Sequence, residues 1–302
     1  MVADIAKLSV GREEYYTREL ATDHEAYLSG HGESPGRWYG AGATALGLQG
    51  EASPAGFQRM FEGRHPDSGE LLGRPHGRGA VPAFDVVLRP TKSLSILYGL
   101  GDPGTGRAVL AAHHGGVREA VAYLDGHLGA RRGHGGVQHV DGQGLLAVGF
   151  DHRTSREGDP LLHTHLVVAN RVQGPDGRWT ALDGRDLYRH RLAADAIYRA
   201  SYQLALARTL GVEWTAADSH GNRELVGIPD DLVRGSPNAP TRSTRPSRNW
   251  QRTVGSGHHG WSNGLSMPPA SPRNTRQRTP CTAAGGQKQP SGAWTRTSWS
   301  GR

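Results

Sequence analysis

No run of about 18 apolar residues occurs in the chain, so the sequence predicts no transmembrane helix. The opening stretch, MVADIAKLSVGREEYY, lacks the apolar core of a secretory signal. Cysteine occurs once, at Cys281, which excludes an internal disulfide framework. Together these absences predict a cytoplasmic protein without membrane insertion. Lysine is scarce, three in 302 residues, and arginine supplies most of the positive charge. Acidic residues are missing from one region altogether. Residues 236–302 hold 10 of the 35 basic residues and none of the 28 acidic ones, which leaves 25 against 28 in residues 1–235. The net charge of +7 therefore belongs to the tail, and the body carries about −3. Any nucleic-acid reading must rest on local sites and not on overall charge.

Composition changes at the same boundary. After residue 235 the chain turns to Pro, Ser, Gly, Thr and Arg, with four isolated tryptophans and no apolar period. Such a segment buries too little apolar surface to offset its ordering entropy, so 236–302 is expected to be a disordered basic tail. Translation in a shifted reading frame would give such a segment, and so would a genuine tail that touches DNA. Residues 1–235 are expected to form one α+β domain, an antiparallel sheet flanked by helices. Helices are predicted over Arg12–Leu20, after the Ser53-Pro54 cap, after Pro90-Thr91, from Arg107 to about residue 129, and from Asp183 to a stop at Gly211. Phe84–Leu88 and the segments on either side of Arg153–Pro160 read as strands, and residues 212–228 as a terminal hairpin.

Chemistry concentrates in GFDHRTSREGDPLLHTHLVVAN, residues 149–170. His163 and His165 are two apart on a strand and so share a face. If the two strands pair as a hairpin with His152 opposite Leu161, His152 joins that face, whereas a one-residue slip sends it to the other. Three imidazoles bind a divalent first-row metal and leave coordination positions open for substrate. Alternatively, they are partly buried strand residues bonded to neighbours. The other histidines, among them His113, His114, His134 and His139, read as solvated or capping groups.

Tyr15 and Tyr16 are adjacent on a predicted helix, where neighbours face different ways. A phenolate can attack phosphorus and hold the product as an ester. Packing or stacking is the plainer use of such a pair. Asp85 alternates with Phe84 and Val86 and shares a strand face with Val87 and Arg89. A carboxylate there requires a partner: a metal-ligating histidine to orient, a nucleophile's proton, or simply an Arg or Lys.

These pieces together resemble the MobF-type (TrwC/TraI-like) conjugative relaxases. The resemblance runs from about residue 5 to 235. It rests on the early Tyr pair, RWYGAGATALGL (37–48), FDVVLRPTKSLSILYGL (84–100), the histidine segment, DGRWTAL (176–182) and NRELVGIP (222–229). The resemblance implies an HUH-type fold and strand-specific nicking of plasmid DNA at an origin of transfer through a 5′-phosphotyrosyl intermediate. Tyr15 then matches the main nucleophile, with Tyr16 beside it. His152, His163 and His165 match the metal ligands, and Asp85 the acid that assists the tyrosine or orients a ligand. It implies a divalent cation (Mg²⁺ or Mn²⁺, with Zn²⁺ suiting imidazoles better). The implied partners are single-stranded or hairpin origin DNA, with relaxosome accessory and type IV secretion coupling proteins. Trp38 and Tyr39 are possible stacking platforms for DNA.

Departures from the family pattern are equally plain. Of a second tyrosine pair only Tyr27 is present, no GxxxxGK[ST] nucleotide loop occurs, and after Gly235 the charged helical continuation is replaced by the tail. The expectation is a truncated relaxase. The alternatives are a non-catalytic remnant that at most binds DNA, a rolling-circle replication initiator, or a three-histidine hydrolase using water.

Overall fold

The five-stranded sheet that organises the molecule is antiparallel throughout, in the order β1-β3-β7-β6-β2. The structure, a computed structural model, describes residues 3–17, 34–134, 137–155 and 159–235. All of these lie in Met1–Pro246, the first of the two units of the chain. Tyr27, Cys281 and the whole of 236–302, with the tail's expected disorder, lie outside the described residues. The sheet strands are β1 (Asp4–Lys7), β2 (Arg37–Tyr39), β3 (Ala83–Leu88), β6 (Ala147–Thr154) and β7 (Pro160–Ala169). Two small ribbons, β4 (Gly129–Arg132) with β5 (Gln138–Asp141) and β8 (Val172–Gln173) with β9 (Trp179–Thr180), stand beside it. The helices are α1 (Glu13–Thr17), α2 (Ala41–Ala45), α3 (Pro54–Phe61), α4 (Lys92–Leu100), α5 (Pro103–Asp125), α6 (Gly184–Leu210) and α7 (Asp230–Gly235).

Strand alternation divides the interior into two cores. Phe84, Val86 and Leu88, with Leu162, Leu166 and Val168, meet apolar residues of α4, α5 and α6 on one face. Ala83, Val148, Phe150 and Val167 meet Tyr16 of α1 and Phe57, Met60 and Phe61 of α3 on the other. The central strands are covered on both sides, which is why they read as nearly unbroken apolar runs. Each fully buried Leu, Val or Phe contributes roughly 1.5–3 kcal/mol relative to its exposed state.

The helix boundaries follow local chemistry. Ser53 accepts from the Gly56 amide at 3.0 Å with Pro54 in the first turn of α3. Asp102 caps α5 by accepting from the amides of Gly104 and Thr105. Gly211, at φ 66°, ends α6 in the left-handed conformation that glycine adopts without strain. Val117, Val121 and Leu124 of α5 are all buried, as their spacing predicts.

The expected terminal hairpin is present but short: residues 212–228 double back through one antiparallel bridge, Trp214 with Leu225, flanked by bonds from the Thr215 amide to the Glu224 carbonyl at 2.9 Å and from the Val226 amide to the Glu213 carbonyl at 3.0 Å. Between them the Asp218 carboxylate takes the amides of His220 and Asn222, a side-chain turn that competes with ladder pairing. The β4–β5 ribbon carries no alternating apolar signal: β4 reads GARR with only Gly129 and Ala130 buried, and β5 reads QHVD, mostly exposed. Among the described residues no helix is long and apolar enough to cross a membrane.

Candidate metal centre and nucleophile

Phe150, His152, His163 and His165 project from two alternate rungs of the β6–β7 hairpin onto one face of the sheet. His152 sits opposite His163, and Phe150 opposite His165. The expected partner of His152, Leu161, is therefore displaced by two residues. An even displacement preserves the face, so the histidines converge although the register differs. The difference comes from an irregularity just beyond His152. The next rung is Thr154 with Pro160, so β7 holds Leu161 and Leu162 against Arg153 alone. The Ser155 amide donates to the Asp159 carbonyl at 2.9 Å and closes the described ends of the loop.

The three ring centroids form a nearly equilateral triangle, with sides of 5.1 Å (His152–His163), 4.9 Å (His152–His165) and 5.0 Å (His163–His165). One ligand nitrogen from each lies within 4.8 Å of the others. Hydrogen bonds fix two of the tautomers. His163 Nδ1 donates to the Leu161 carbonyl at 2.8 Å, and a carbonyl can only accept, so its Nε2 keeps a free lone pair. His165 Nδ1 lies 2.8 Å from Asp85 Oδ2, which frees its Nε2 in the same way. Burial pushes His152 down to about 3, helped by His165 and His163. Burial likewise brings His163 down to about 4, with further lowering from His165 and Arg89. Neutral nitrogen donors at this spacing fit a divalent cation.

Asp85 is buried at the centre of the hydrogen bonding. Its Oδ2 accepts from the Tyr16 hydroxyl at 3.0 Å as well as from His165, and its Oδ1 is buried with no hydrogen-bond partner. Arg89, which shares its strand face, pairs instead with Asp4 at 2.7 Å. The tyrosines of α1 part company. Tyr16 is 5 % exposed and stacks on Phe150 with centroids 5.5 Å apart. Burial, and then the charge of Asp85, raise its pKa. Tyr15 is 48 % exposed, and its ring lies 6.2 Å from His152 and 6.3 Å from His165. Trp38 and Tyr39, offered above as stacking platforms, are partly buried against the two cores.

His113 and His114 are not solvated. Residue 113 is fully buried, and both bond to residues on the reverse face of the hairpin: His113 Nε2 to Thr164 Oγ1 at 2.7 Å and His114 Nε2 to Asp151 Oδ2 at 2.6 Å. The clue in the sequence was Asp151 itself, a carboxylate within the apolar run AVGFDH that needed partners. A second group, His139 with Asp183 and Asp186, also brings ligand atoms together. Arg185 and Arg131 approach Asp183, Arg189 approaches Asp186, and the positive end of α6 faces the group, which disfavours a cation.

The sequence matches the model of the TrwC relaxase family over residues 10–265, most of the chain. The chain belongs to the TrwC relaxase family. A curated relative, the multifunctional conjugation protein TraI of Escherichia coli (strain K12), is 32 % identical over 232 residues. That alignment takes in 73 % of this chain and spans 13 % of TraI. Among solved structures, a metal-bound conjugative relaxase TrwC in complex with oriT DNA superposes with a TM-score of 0.66 at 24 % identity. The match covers 89 % of this chain and 86 % of that one. A copper-bound TrwC complex with oriT DNA gives 0.67 at 22 % identity, covering 88 % and 99 %. These superpositions show the TrwC fold, an antiparallel sheet with helices, in this chain.

Proposed function

We propose that residues 1–235 nick single-stranded DNA at an origin of transfer by transesterification onto Tyr15, with His152, His163 and His165 holding a divalent cation. The observation that carries this reading is a half-exposed phenol whose ring centroid lies 6.2 and 6.3 Å from two of three converging imidazoles. Membership of the TrwC family and the oriT DNA in the TrwC complexes supply the substrate class. What a bound divalent cation would contribute is charge withdrawal from the non-bridging oxygens of the scissile phosphate.

The chain's own residues do the rest. Tyr15 Oη attacks phosphorus, the P–O3′ bond breaks, and the 3′ oxygen leaves as a hydroxyl, while the DNA 5′ end stays esterified to the protein. Rejoining is the reverse reaction. Tyr16 is a poor alternative nucleophile: it is buried, and its proton is committed to Asp85. Asp85 contacts His165 and Tyr16, so its proposed role is to orient a ligand. Three imidazoles favour Mn²⁺ or Zn²⁺ over Mg²⁺. DNA further from the cut has a basic surface available. A cavity of about 960 Å³, remote from the histidines, is lined by Arg74, Arg131, Arg132, Arg171 and Arg178 beside Trp179.

The test is incubation of the full chain with an origin-bearing single strand and Mn²⁺, followed by denaturing electrophoresis. A covalent protein–DNA band that Tyr15→Phe abolishes is expected. A band lost only in Tyr16→Phe would move the nucleophile. Cleavage without a protein-bound product would replace the reading by water-driven hydrolysis. A folded protein that binds DNA and forms no band would reduce it to a DNA-binding remnant.

A further inference from the structure

Three consecutive rungs of the β6–β7 hairpin are Phe150–His165, Asp151–Thr164 and His152–His163. The imidazoles leave the outer two toward α1, so Asp151 and Thr164 leave the middle one toward the opposite face. There they enter a buried chain of hydrogen bonds. Thr164 Oγ1 donates to Asp151 Oδ1 at 2.5 Å, and a carboxylate can only accept. Thr164 Oγ1 must then accept from His113 Nε2 at 2.7 Å, which leaves His113 Nδ1 to accept from the Tyr198 hydroxyl at 2.7 Å. His114 Nε2 donates to the other oxygen of Asp151. Helix α5 thus grips both members of the rung, and α6 anchors the far end.

We propose that this network is a register clamp: Asp151, Thr164, His113 and His114 are positioning residues that hold His152 on the same face as His163 and His165. The irregular rung beside the site makes such a device necessary. If the Thr154–Pro160 pairing ran on without the extra residue, His152 would lie opposite Leu162 and point away from the other two histidines. Two registers therefore meet within one step of the metal face. The apolar residues at the irregularity, Leu161 and Leu162, do not choose between them. The reverse face does. In the slipped register Asp151 would oppose His163 and Thr164 would oppose Phe150. The Thr164 bonds to both Asp151 and His113 would be lost, and a carboxylate that is 3 % exposed would forfeit its Thr164 partner. A fully satisfied buried network of this kind selects one arrangement. The clamp rests on the metal reading above only for its consequence, since the register itself is a property of the metal-free chain.

The test uses the full-length chain with Thr164→Val, which removes the hydroxyl at nearly constant shape, and Thr164→Ser, which keeps it. Register is read without metal from cross-strand proton contacts between residues 152 and 163 in NMR spectra. Metal binding is read by titration with Co²⁺ alone, following its visible spectrum. The expected result is a weakened or doubled 152–163 contact in Thr164→Val, a Co²⁺ affinity lower by about tenfold or more and an altered spectrum. Thr164→Ser should restore all three. Should Thr164→Val not fold, His114→Ala, which removes the member at the rim, carries the same expectation. A folded Thr164→Val or His114→Ala with the single native register and unchanged Co²⁺ spectrum overturns the clamp. A wild-type Co²⁺ spectrum that is indifferent to His163→Ala overturns the metal reading instead, and the NMR contacts still decide the clamp.

Discussion

Tyr15 and Tyr16 stand 5.1 Å apart, ring edge to ring face, in the single described helical stretch of α1. Both rings lie near His165, Tyr16 at 5.5 Å and Tyr15 at 6.3 Å, but the exposed phenol also lies beside His152 while the buried one ties α1 to Asp85 and Phe150. Substitution should separate these duties. Tyr16→Phe removes one of the two bonds to Asp85 Oδ2 and is expected to cost about 1–3 kcal/mol, measured by urea unfolding, with the covalent DNA band still formed. Asp85→Ala strips His165 Nδ1 of its acceptor. Outer partners of metal-ligating histidines typically affect binding by about tenfold to a hundredfold, so a loss of that size in metal affinity is expected in chelator competition. Unchanged affinity would remove Asp85 from the site. The sequence alone left three uses open for Asp85 because alternation fixes a face and not a neighbour. The partner, Tyr16, comes from 69 residues away.

The β6–β7 hairpin shows how far strand periodicity reaches. Its two-residue period brought His163 and His165 together; His152 joined them only if it paired with Leu161, and the observed pairing with His163, shifted by two, keeps it on that face. Period fixes which residues of one strand share a face, and leaves the pairing with the neighbouring strand, its parity included, to the loop and to the packing behind the strand. His113 and His114 were misjudged. His113 stands one turn before Val117 on the stripe that runs through Val121 and Leu124, so its burial lay in the spacing, whereas the partners it and His114 find in Thr164 and Asp151 did not. The start of α3 and the end of α6 were legible, since Ser53-Pro54 and Gly211 act through neighbours in sequence, while the Asp102 cap of α5 was missed and that helix was begun at Arg107. The cap of α3 has a measurable share in the site. This helix presents Phe57 to both Tyr16 and Phe150. Ser53→Ala should cost about 1 kcal/mol in urea unfolding and leave DNA nicking intact. Phe150→Ala, beneath the tyrosine, should cost about 3–5 kcal/mol and reduce nicking as well. Equal effects of the two changes would contradict the packing described.

At the scale of the whole molecule, burial of neutral imidazoles links folding to pH and to metal. His113, His152 and His163 are held at about 3, 3 and 4 by burial, and His76 is also lowered by burial. An unfolded histidine titrates near 6.5. Between pH 6.5 and about 4 the unfolded chain therefore binds protons that the folded chain refuses, and stability falls as pH falls. The slope can reach about 1.4 kcal/mol per pH unit for each proton so refused. Asp125 and Asp195 act in the opposite sense, because burial raises them and they take up protons earlier in the folded state. Asp151, lowered to about 2 by its histidine and threonine partners against the cost of burial, adds its loss only below the usual carboxylate range. Four imidazoles against two carboxylates leave a net acid destabilisation. Urea midpoints of the chelator-treated protein should accordingly be level above pH 7 and decline steadily from pH 6.5 to 4.5. A divalent cation held by the folded triad raises the midpoint by mass action. Its increment should be full near pH 7.5 and should shrink only as protons reach the folded ligands themselves, His163 at about 4 and His152 at about 3. A midpoint that stays flat down to pH 4.5 without metal would mean that His113, His152 and His163 are not buried as neutral bases.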